Sequence, residues 1–540
     1  MPFNDSRDQD VIVVGTGMGG SVLGYALARA GKRVLFCEQG LLTSNPAINK
    51  GCYAESTFPT GVVSASEHSE LLRRAARYNK EIEDVSYSKP KRFVPFIGAG
   101  TGGSTGLFGM ALERLFPCDF FPKRNFRDAP NTTLPERWPI TYEDLSPYYK
   151  AAEKLFRVRG SVDPLRREEN FDYLPPPSLS TQGEELYRFL DAKGFHPYTL
   201  PLACDHTPGC ECCQGYLCAQ NCKNDCYKIC LAPALEQFGA RLIENCEVIK
   251  LEASEKRVTG VVCQSGDRKL TLEAPTIVLA AGALKTPAIL LNSASSIWPN
   301  GLANKSGLVG RNLMRHLIDL YVLTPKSTTS GSAMKELAIN DFYLVDGKKF
   351  GSVQSFGAMP PGEVVTAPFE LRLRTSFAPI TGSLFGRIRP LVDRRLTHFF
   401  SSKIILASIL EDLPYSNNQV TLVKSANVDR PCLNLRYQVS DYDRDRTEQF
   451  RKHIRSALKP YRVRLLKQAE NNERIAHACG TCRFGFEPET SVLDSTNRAH
   501  GLSNLYVVDS SFFPSSGGIN PALTIAANAL RVADFLIHER

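Results

Sequence analysis

The sequence predicts an α/β protein in which a parallel sheet is assembled from segments far apart in the chain, joined to an α+β cap domain with an antiparallel sheet. Three observations carry that expectation. A β-branched run, Val11 to Val14, ends in a glycine turn and leads into a helical pattern. A second apolar run, Thr276 to Ala280, stops at Ala281 and Gly282 ahead of another helix, and a third, in NLYVVDSS, returns near the C-terminus. Strands buried on both faces read as short unbroken apolar runs, and strand-turn-helix is the unit from which parallel sheets are built.

In the first unit, Gly15, Gly17 and Gly20 fall at GxGxxG spacing. The first glycine permits a tight turn, the second lets backbone approach a pyrophosphate, and the third lets helix and strand pack closely. The helix SVLGYALARAG would point free N–H groups at an anion and stops at Gly31. A second strand, Arg33 to Phe36, closes at Glu38, about the ~20 residues beyond the glycines where an acid hydrogen-bonds a ribose hydroxyl. An acid there disfavours a 2′-phosphate, so the turn reads as binding NAD or FAD over NADP. A glycine turn that merely packs would leave Glu38 unexplained.

At 540 residues the chain exceeds the ~250–300 at which single cores stop growing, so at least two domains are expected. Its 43% hydrophobic and 22% charged residues are those of an ordinary globular protein. The net charge of +9 is scattered, with only short basic runs such as Arg387 to Arg395, which predicts no nucleic-acid partner. The polar start MPFNDSRDQD leaves no room for a signal peptide before the first strand. No apolar run approaches the ~18 residues of a membrane span; Ile404 to Leu410 reads as a buried strand or helix. A cytoplasmic protein is therefore expected, and there the sixteen cysteines need a chemical reason other than disulfides.

Further along, His68 to Glu83 reads as a surface helix. Pro95 to Leu115 carries Gly98, Gly100, Gly102, Gly103, Gly106 and Gly109 with Ser104 and Thr105, a loop able to lie flat against a planar ligand. Trp138 to Phe156 is a turn and then an amphipathic helix, capped by Thr141 with Asp144 three residues on. A Pro-rich polar stretch, 163–180, precedes eight cysteines at 204, 210, 212, 213, 218, 222, 226 and 230. Helix, strand and a hairpin follow, then the strand Thr276 to Ala280, whose end is open to a ligand, and a helix beginning near Thr286. From about Asp319 to Glu470 alternating strands lead to a basic helix with Phe450, Ile454, Leu458 and Leu465 on one face. After the last strand come Asp509, the pair Gly517 and Gly518, and a helix from Pro521.

Together these motifs resemble the glucose–methanol–choline (GMC) family of flavin oxidoreductases. The N-terminal turn with Glu38 is similar to its ADP-binding turn, and GAGTGGST at Gly98 to Thr105 to its flavin loop. GALKTPAILLNSA from Gly282 resembles its second signature, with Ala294 where glycine is usual. GRNLMRH at Gly310 to His316, then HACGTCRFG and NLYVVDSSFFPSSGGINPALTI, follow in family order.

The resemblance implies FAD, a Rossmann-like FAD domain in discontinuous pieces and oxidation of an alcohol. The FAD domain is expected at 1–165, 201–318 and 471–540, with an excursion at 166–200 and the substrate-binding domain at 319–470. FAD contacts are expected at Gly15, Gly17, Gly20, Glu38, Gly98, Gly102, Gly103, Ser104, Val248, Ala281, Asp509, Asn520 and Pro521. The Gly98 to Thr105 loop has no histidine of the kind to which family members often join FAD covalently.

His477 matches the family's active-site histidine, and Asn520 the second position, which is His or Asn in different members. Hydride leaves a carbinol carbon as its hydroxyl loses a proton, and a near-neutral imidazole is suited to accept that proton. The Asn520 amide can donate to the substrate oxygen but cannot act as base. Glu411 and Asp412 lie in the cap at the end of a strand, an exposed position where acids are ordinary, while some relatives place an extra carboxylate above the substrate.

Cys212, Cys213, Cys218 and Cys222, spaced CCx4Cx3C, resemble the cysteine stretch of bacterial FAD-dependent sugar dehydrogenases, where an iron–sulfur cluster exports electrons. Aminoglycoside-pathway alcohol oxidases are also similar in length and motif layout. Iron–sulfur, zinc, and unligated or disulfide-bonded thiols all stand as readings of the cluster. Cys226 and Cys230 continue a four-residue spacing that one helix face would also give. The expected reaction is oxidation of a sugar or amino-sugar hydroxyl, in antibiotic biosynthesis on one reading, with O2 or a protein partner taking the electrons. Long-chain alcohols or sterols are the alternative substrates, and a non-catalytic flavin/iron–sulfur electron-transfer subunit is the alternative of another class.

Overall fold

The computed structural model describes residues 8–58, 64–166, 171–325, 334–375, 379–423 and 432–539. The three strand-turn-helix units meet in one five-stranded sheet, ordered Leu505–Val507, Thr276–Leu279, Val11–Val14, Val34–Cys37, Arg241–Ile243, with every pair parallel. Val11–Val14 sits at its centre and is buried along its whole length, as an unbroken apolar run requires.

Helix Met18–Arg29 covers this sheet at very close range. A Cβ on Gly19 would come within 2.2 Å of the Val508 carbonyl oxygen, and one on Gly20 within 2.1 Å of the Gly15 carbonyl oxygen. Helices Ala522–His538 and Tyr142–Leu155 pack outside it, tied by the Tyr149 and Thr524 hydroxyls at 2.8 Å. Tyr142–Leu155 starts in the expected capping box: the Asp144 N–H donates to Thr141 Oγ1 and the Thr141 N–H to the Asp144 carboxylate. Inside the same layer the Arg114 guanidinium grips Glu153 through two bonds of 2.5 and 2.6 Å, both residues buried. Removing one partner of such a pair costs about 3–5 kcal/mol.

The second sheet has six strands, all antiparallel: Arg462–Leu466, Leu317–Thr324, Ile404–Leu410, Gly351–Ser355, Leu337–Ile339 and Tyr198–Thr199. Ile404–Leu410 is a strand buried on both faces. Ile404, Leu406 and Leu410 face one apolar cluster, Ile405 and Ala407 another.

Three sequence expectations shift. The surface helix covers Ala65–Arg74 rather than His68 to Glu83; Ala76 adopts a left-handed φ of 53°, and Ile82–Asp84 forms a strand beside Lys91–Phe93 and Cys432–Arg436. Phe450 and Ile454 do lie in the buried face of helix Asp441–Ala457, but Leu465 belongs to the strand after it, because Pro460 cannot continue a helix. The helix expected near Thr286 begins at Gly282, where Asp509 Oδ2 accepts both the Gly282 N–H and the Thr286 hydroxyl.

Candidate active site

Three segments distant in sequence converge at the C-terminal end of the parallel sheet. Backbone bonds between Met314 and Cys479, and from the His316 N–H to Ala476 O, lay residues 314–316 beside 476–479. This brings two imidazoles together, with His316 Nδ1 2.7 Å from His477 Nδ1 and His316 Nε2 2.9 Å from the Gly517 carbonyl oxygen. A carbonyl only accepts, so His316 carries its proton on Nε2 and presents a lone pair at Nδ1. His477 must then donate from Nδ1, which leaves its Nε2 lone pair for the cleft.

The tautomer of His477 is thus set by Gly517 through His316. Burial pushes His316 down to about 4 and His477 well below the ordinary histidine range, with His316 and the Lys335 ammonium acting in the same direction on His477. Both rings are held neutral near pH 7.

The Ser515 to Asn520 loop is braced from behind. The Trp138 indole N–H donates to Ser515 Oγ at 2.7 Å, and Ser516 Oγ donates to the Asp412 carbonyl oxygen at 2.9 Å. The Gly518 N–H donates to the Tyr343 hydroxyl, which donates to Asp119. Lys349 bridges Asp119 and Glu411 in full burial. Gly517 has φ 68°, and a Cβ there would lie 2.4 Å from Leu115 Cδ2, so the loop requires glycine at that position. Glu411 and Asp412 therefore do not sit at an exposed strand end. They are buried, and Asp412 accepts from the Arg315 N–H and the Tyr437 hydroxyl, with burial raising it to about 8.

A long cleft runs from this loop across the sheet end. Of the residues expected at a dinucleotide, Gly15, Gly17, Glu38, Gly98, Gly103, Ser104, Val248, Ala281, Asp509, Asn520 and Pro521 line it, together with His477. Gly20 and Gly102 do not: Gly20 packs helix on strand, and Gly102 turns the flavin-like loop at φ 90°.

The Glu38 carboxylate accepts from the Thr16 N–H, the Thr16 hydroxyl and the Gly40 N–H, and burial raises it above the ordinary glutamate range. Asp509 is spent on Gly282, Thr286 and Ser511, so it fixes the cleft wall. A Cβ on Gly17 would meet nothing within 4 Å, which leaves open space over the helix N-terminus for an anion. Asn520 Oδ1 is buried with no hydrogen-bond partner, the condition of a polar group that awaits a ligand. These residues fit FAD.

The four cysteines of CCx4Cx3C divide. Cys218 and Cys222 lie 3.5 Å apart, with Cys213 against Cys218, whereas Cys212 Sγ turns toward His206 Nδ1 at 3.9 Å. Cys226 and Cys230 lie on a helical turn, buried, and no disulfide joins any of the sixteen cysteines.

Sequence reasoning gave His316 and Thr16 no role. The heptapeptide GRNLMRH was the only signal for His316, and Thr16 sits inside the glycine turn as an unremarked x.

Sequence models of the family described as GMC oxidoreductase match residues 191–318 and 414–529. Paromamine 6'-oxidase of Streptomyces fradiae is 28% identical, with 98% of this chain and 91% of that protein aligned. The fructose dehydrogenase large subunit of Gluconobacter japonicus is 26% identical over 99% of both chains. The structure of pyridoxine 4-oxidase from Mesorbium loti superposes with TM-score 0.64 at 20% identity, covering 98% of this chain and 100% of that one.

Two expected outcomes follow from the cleft. Gly17→Ala should fold and melt near the temperature of the FAD-free parent yet take up little FAD, whereas Gly19→Ala should be recovered poorly or melt well below it, because its Cβ meets backbone; flavin content and thermal melts of both variants check this.

The second concerns acid. The unfolded chain protonates His316 near 6.5 but the folded site only near 4, so stability is full above pH 6.5 and is lost as pH falls toward 4. Thermal melts across that window should show a steeper fall for the parent than for His316→Asn.

Proposed function

The chain belongs to the GMC oxidoreductase family, an FAD-dependent family of alcohol oxidases and dehydrogenases, and on that premise we propose that it oxidises a hydroxyl of a sugar or amino sugar to a carbonyl. The observation that carries the reaction type is the His316 to His477 contact at 2.7 Å, which leaves one ring nitrogen of His477 as a free base beside Asn520 in the cleft. The substrate class is supported by the relatives named for paromamine and fructose, both aligned along nearly the full chain.

FAD in this cleft, held by the glycine turn, Glu38 and the 98–104 loop, supplies the two-electron acceptor for a hydride. His477 Nε2 takes the hydroxyl proton of the substrate, and its Nδ1–H stays on His316, so the positive charge that develops on His477 is shared with a ring anchored on Gly517 O. The Asn520 Nδ2–H donates to the substrate oxygen, whose own proton goes to His477, and so aims the carbinol C–H. A general base so placed contributes ~10²–10⁴ in rate.

Oxidase and dehydrogenase share this half-reaction and differ in what takes the electrons next. A cluster on Cys212, Cys213, Cys218 and Cys222 would belong to the dehydrogenase branch, as an exit for electrons from the flavin.

Anaerobic mixing of the FAD-loaded protein with amino sugars, sugars, long-chain alcohols and sterols tests the reading. Bleaching of the flavin bands by sugar or amino-sugar hydroxyls is expected, and His477→Ala should keep FAD while bleaching ~10²–10⁴ times more slowly. Bleaching by long-chain alcohols or sterols alone would overturn the substrate class, and no bleaching by any alcohol would overturn the activity.

A further inference from the structure

The loop that follows Ala203 gathers four metal-ligating side chains. Cys204 Sγ lies 3.5 Å from Cys210 Sγ, Cys212 Sγ lies 3.9 Å from His206 Nδ1, and the four donor atoms all fall within 4.8 Å of one another. A tetrahedral zinc with Zn–S of about 2.3 Å and Zn–N of about 2.0 Å sets its donors roughly 3.5–3.8 Å apart. The set therefore has the span of a single ion. A cluster of several irons would hold its sulfurs further apart.

The backbone curls to bring these donors together. His206 and Cys212 both take φ 48° and Gly209 φ 79°, while the Asp205 N–H donates to Cys222 O and the Cys210 N–H to Thr207 O. Cys204 and Cys212 are buried, and His206 and Cys210 half-buried.

A second observation concerns charge. Lys223 and Lys335 are both buried beside this loop. Lys223 Nζ donates to the carbonyls of Gly106 and Tyr216, and Lys335 Nζ to the Gln214 amide oxygen at 3.3 Å. Among the described residues neither forms a salt bridge with a carboxylate. Both lysines feel a carboxylate charge, Asp225 for Lys223 and Glu113 for Lys335, and after it sulfurs of this loop, Cys204 for Lys223 and Cys212 for Lys335. Three thiolates and a neutral imidazole on a divalent cation carry one net negative charge, next to both lysines.

We propose that Cys204, His206, Cys210 and Cys212 bind a zinc ion as a closed four-ligand site, with Cys222, which touches Cys210, and Cys218 and Cys213 outside its shell. With four protein ligands and no open position, such a site is structural. It staples the loop that braces the flavin-facing turn, where the Lys223 ammonium holds Gly106 O and the Cys226 N–H holds Thr105 Oγ1.

The test is elemental analysis of the full-length protein together with zinc X-ray absorption. About one zinc per chain with a three-sulfur, one-nitrogen shell is expected. Cys204→Ser and His206→Ala should lose that zinc, while Cys432→Ser, far from the loop, should keep it. If the loop variants fail to fold, the absorption shell of the parent still decides. A zinc-free chain, a shell of four sulfurs, iron with labile sulfide that persists in Cys204→Ser, or Cys204 and Cys210 found joined as a disulfide would each overturn the site.

Discussion

The hydrogen bond between the imidazoles of His316 and His477 is the constraint on which the proposed chemistry rests. Two neutral histidines in contact through like nitrogens can share only one proton, so one ring must donate and the other accept. Gly517 O decides which, because it takes the only proton that His316 has. The consequence is an imidazole whose free nitrogen is fixed by a backbone carbonyl forty residues further along the chain.

That arrangement explains why so much buried polarity surrounds the Ser515 to Asn520 loop. A carbonyl that sets a tautomer has to be held still, and the loop has no regular secondary structure of its own to hold it. Trp138, Tyr343, Asp412 and the Asp119, Lys349, Glu411 group do so from three directions, each polar atom drawing on a partner in the substrate domain or the first helical layer. Charges buried this way add little net stability against an apolar core of the same shape, but they specify one arrangement. The two sheets thus meet where orientation matters most.

The sheet was legible in the sequence because its strands are short apolar runs ended by glycine, a pattern with few other readings. That Gly15, Gly17, Gly98 and Gly103 line the cleft was legible for a related reason, since close approach of backbone favours glycine at fixed spacing. The positions that escaped were those whose roles arise only on folding. His316 looks like any histidine at the end of a loop until its carbonyl partner is brought up, and Glu411 and Asp412 look like exposed strand-end acids until Lys349 and Arg315 are placed against them. Leu465 kept the helical period past a proline, so periodicity alone set it on the wrong element. The cysteine motif misled in another way: adjacent residues Cys212 and Cys213 point into different groups, which spacing along a chain cannot reveal.

The most direct measurement is the protonation of the two His477 ring nitrogens, by long-range proton–nitrogen correlation spectra of histidine-labelled protein near pH 7, assigned with His316 and His477 variants among the nine histidines. The account predicts a protonated Nδ1 and an unprotonated Nε2 on His477, with the reverse tautomer on His316. A proton on His477 Nε2, or a doubly protonated His477 ring, would contradict it.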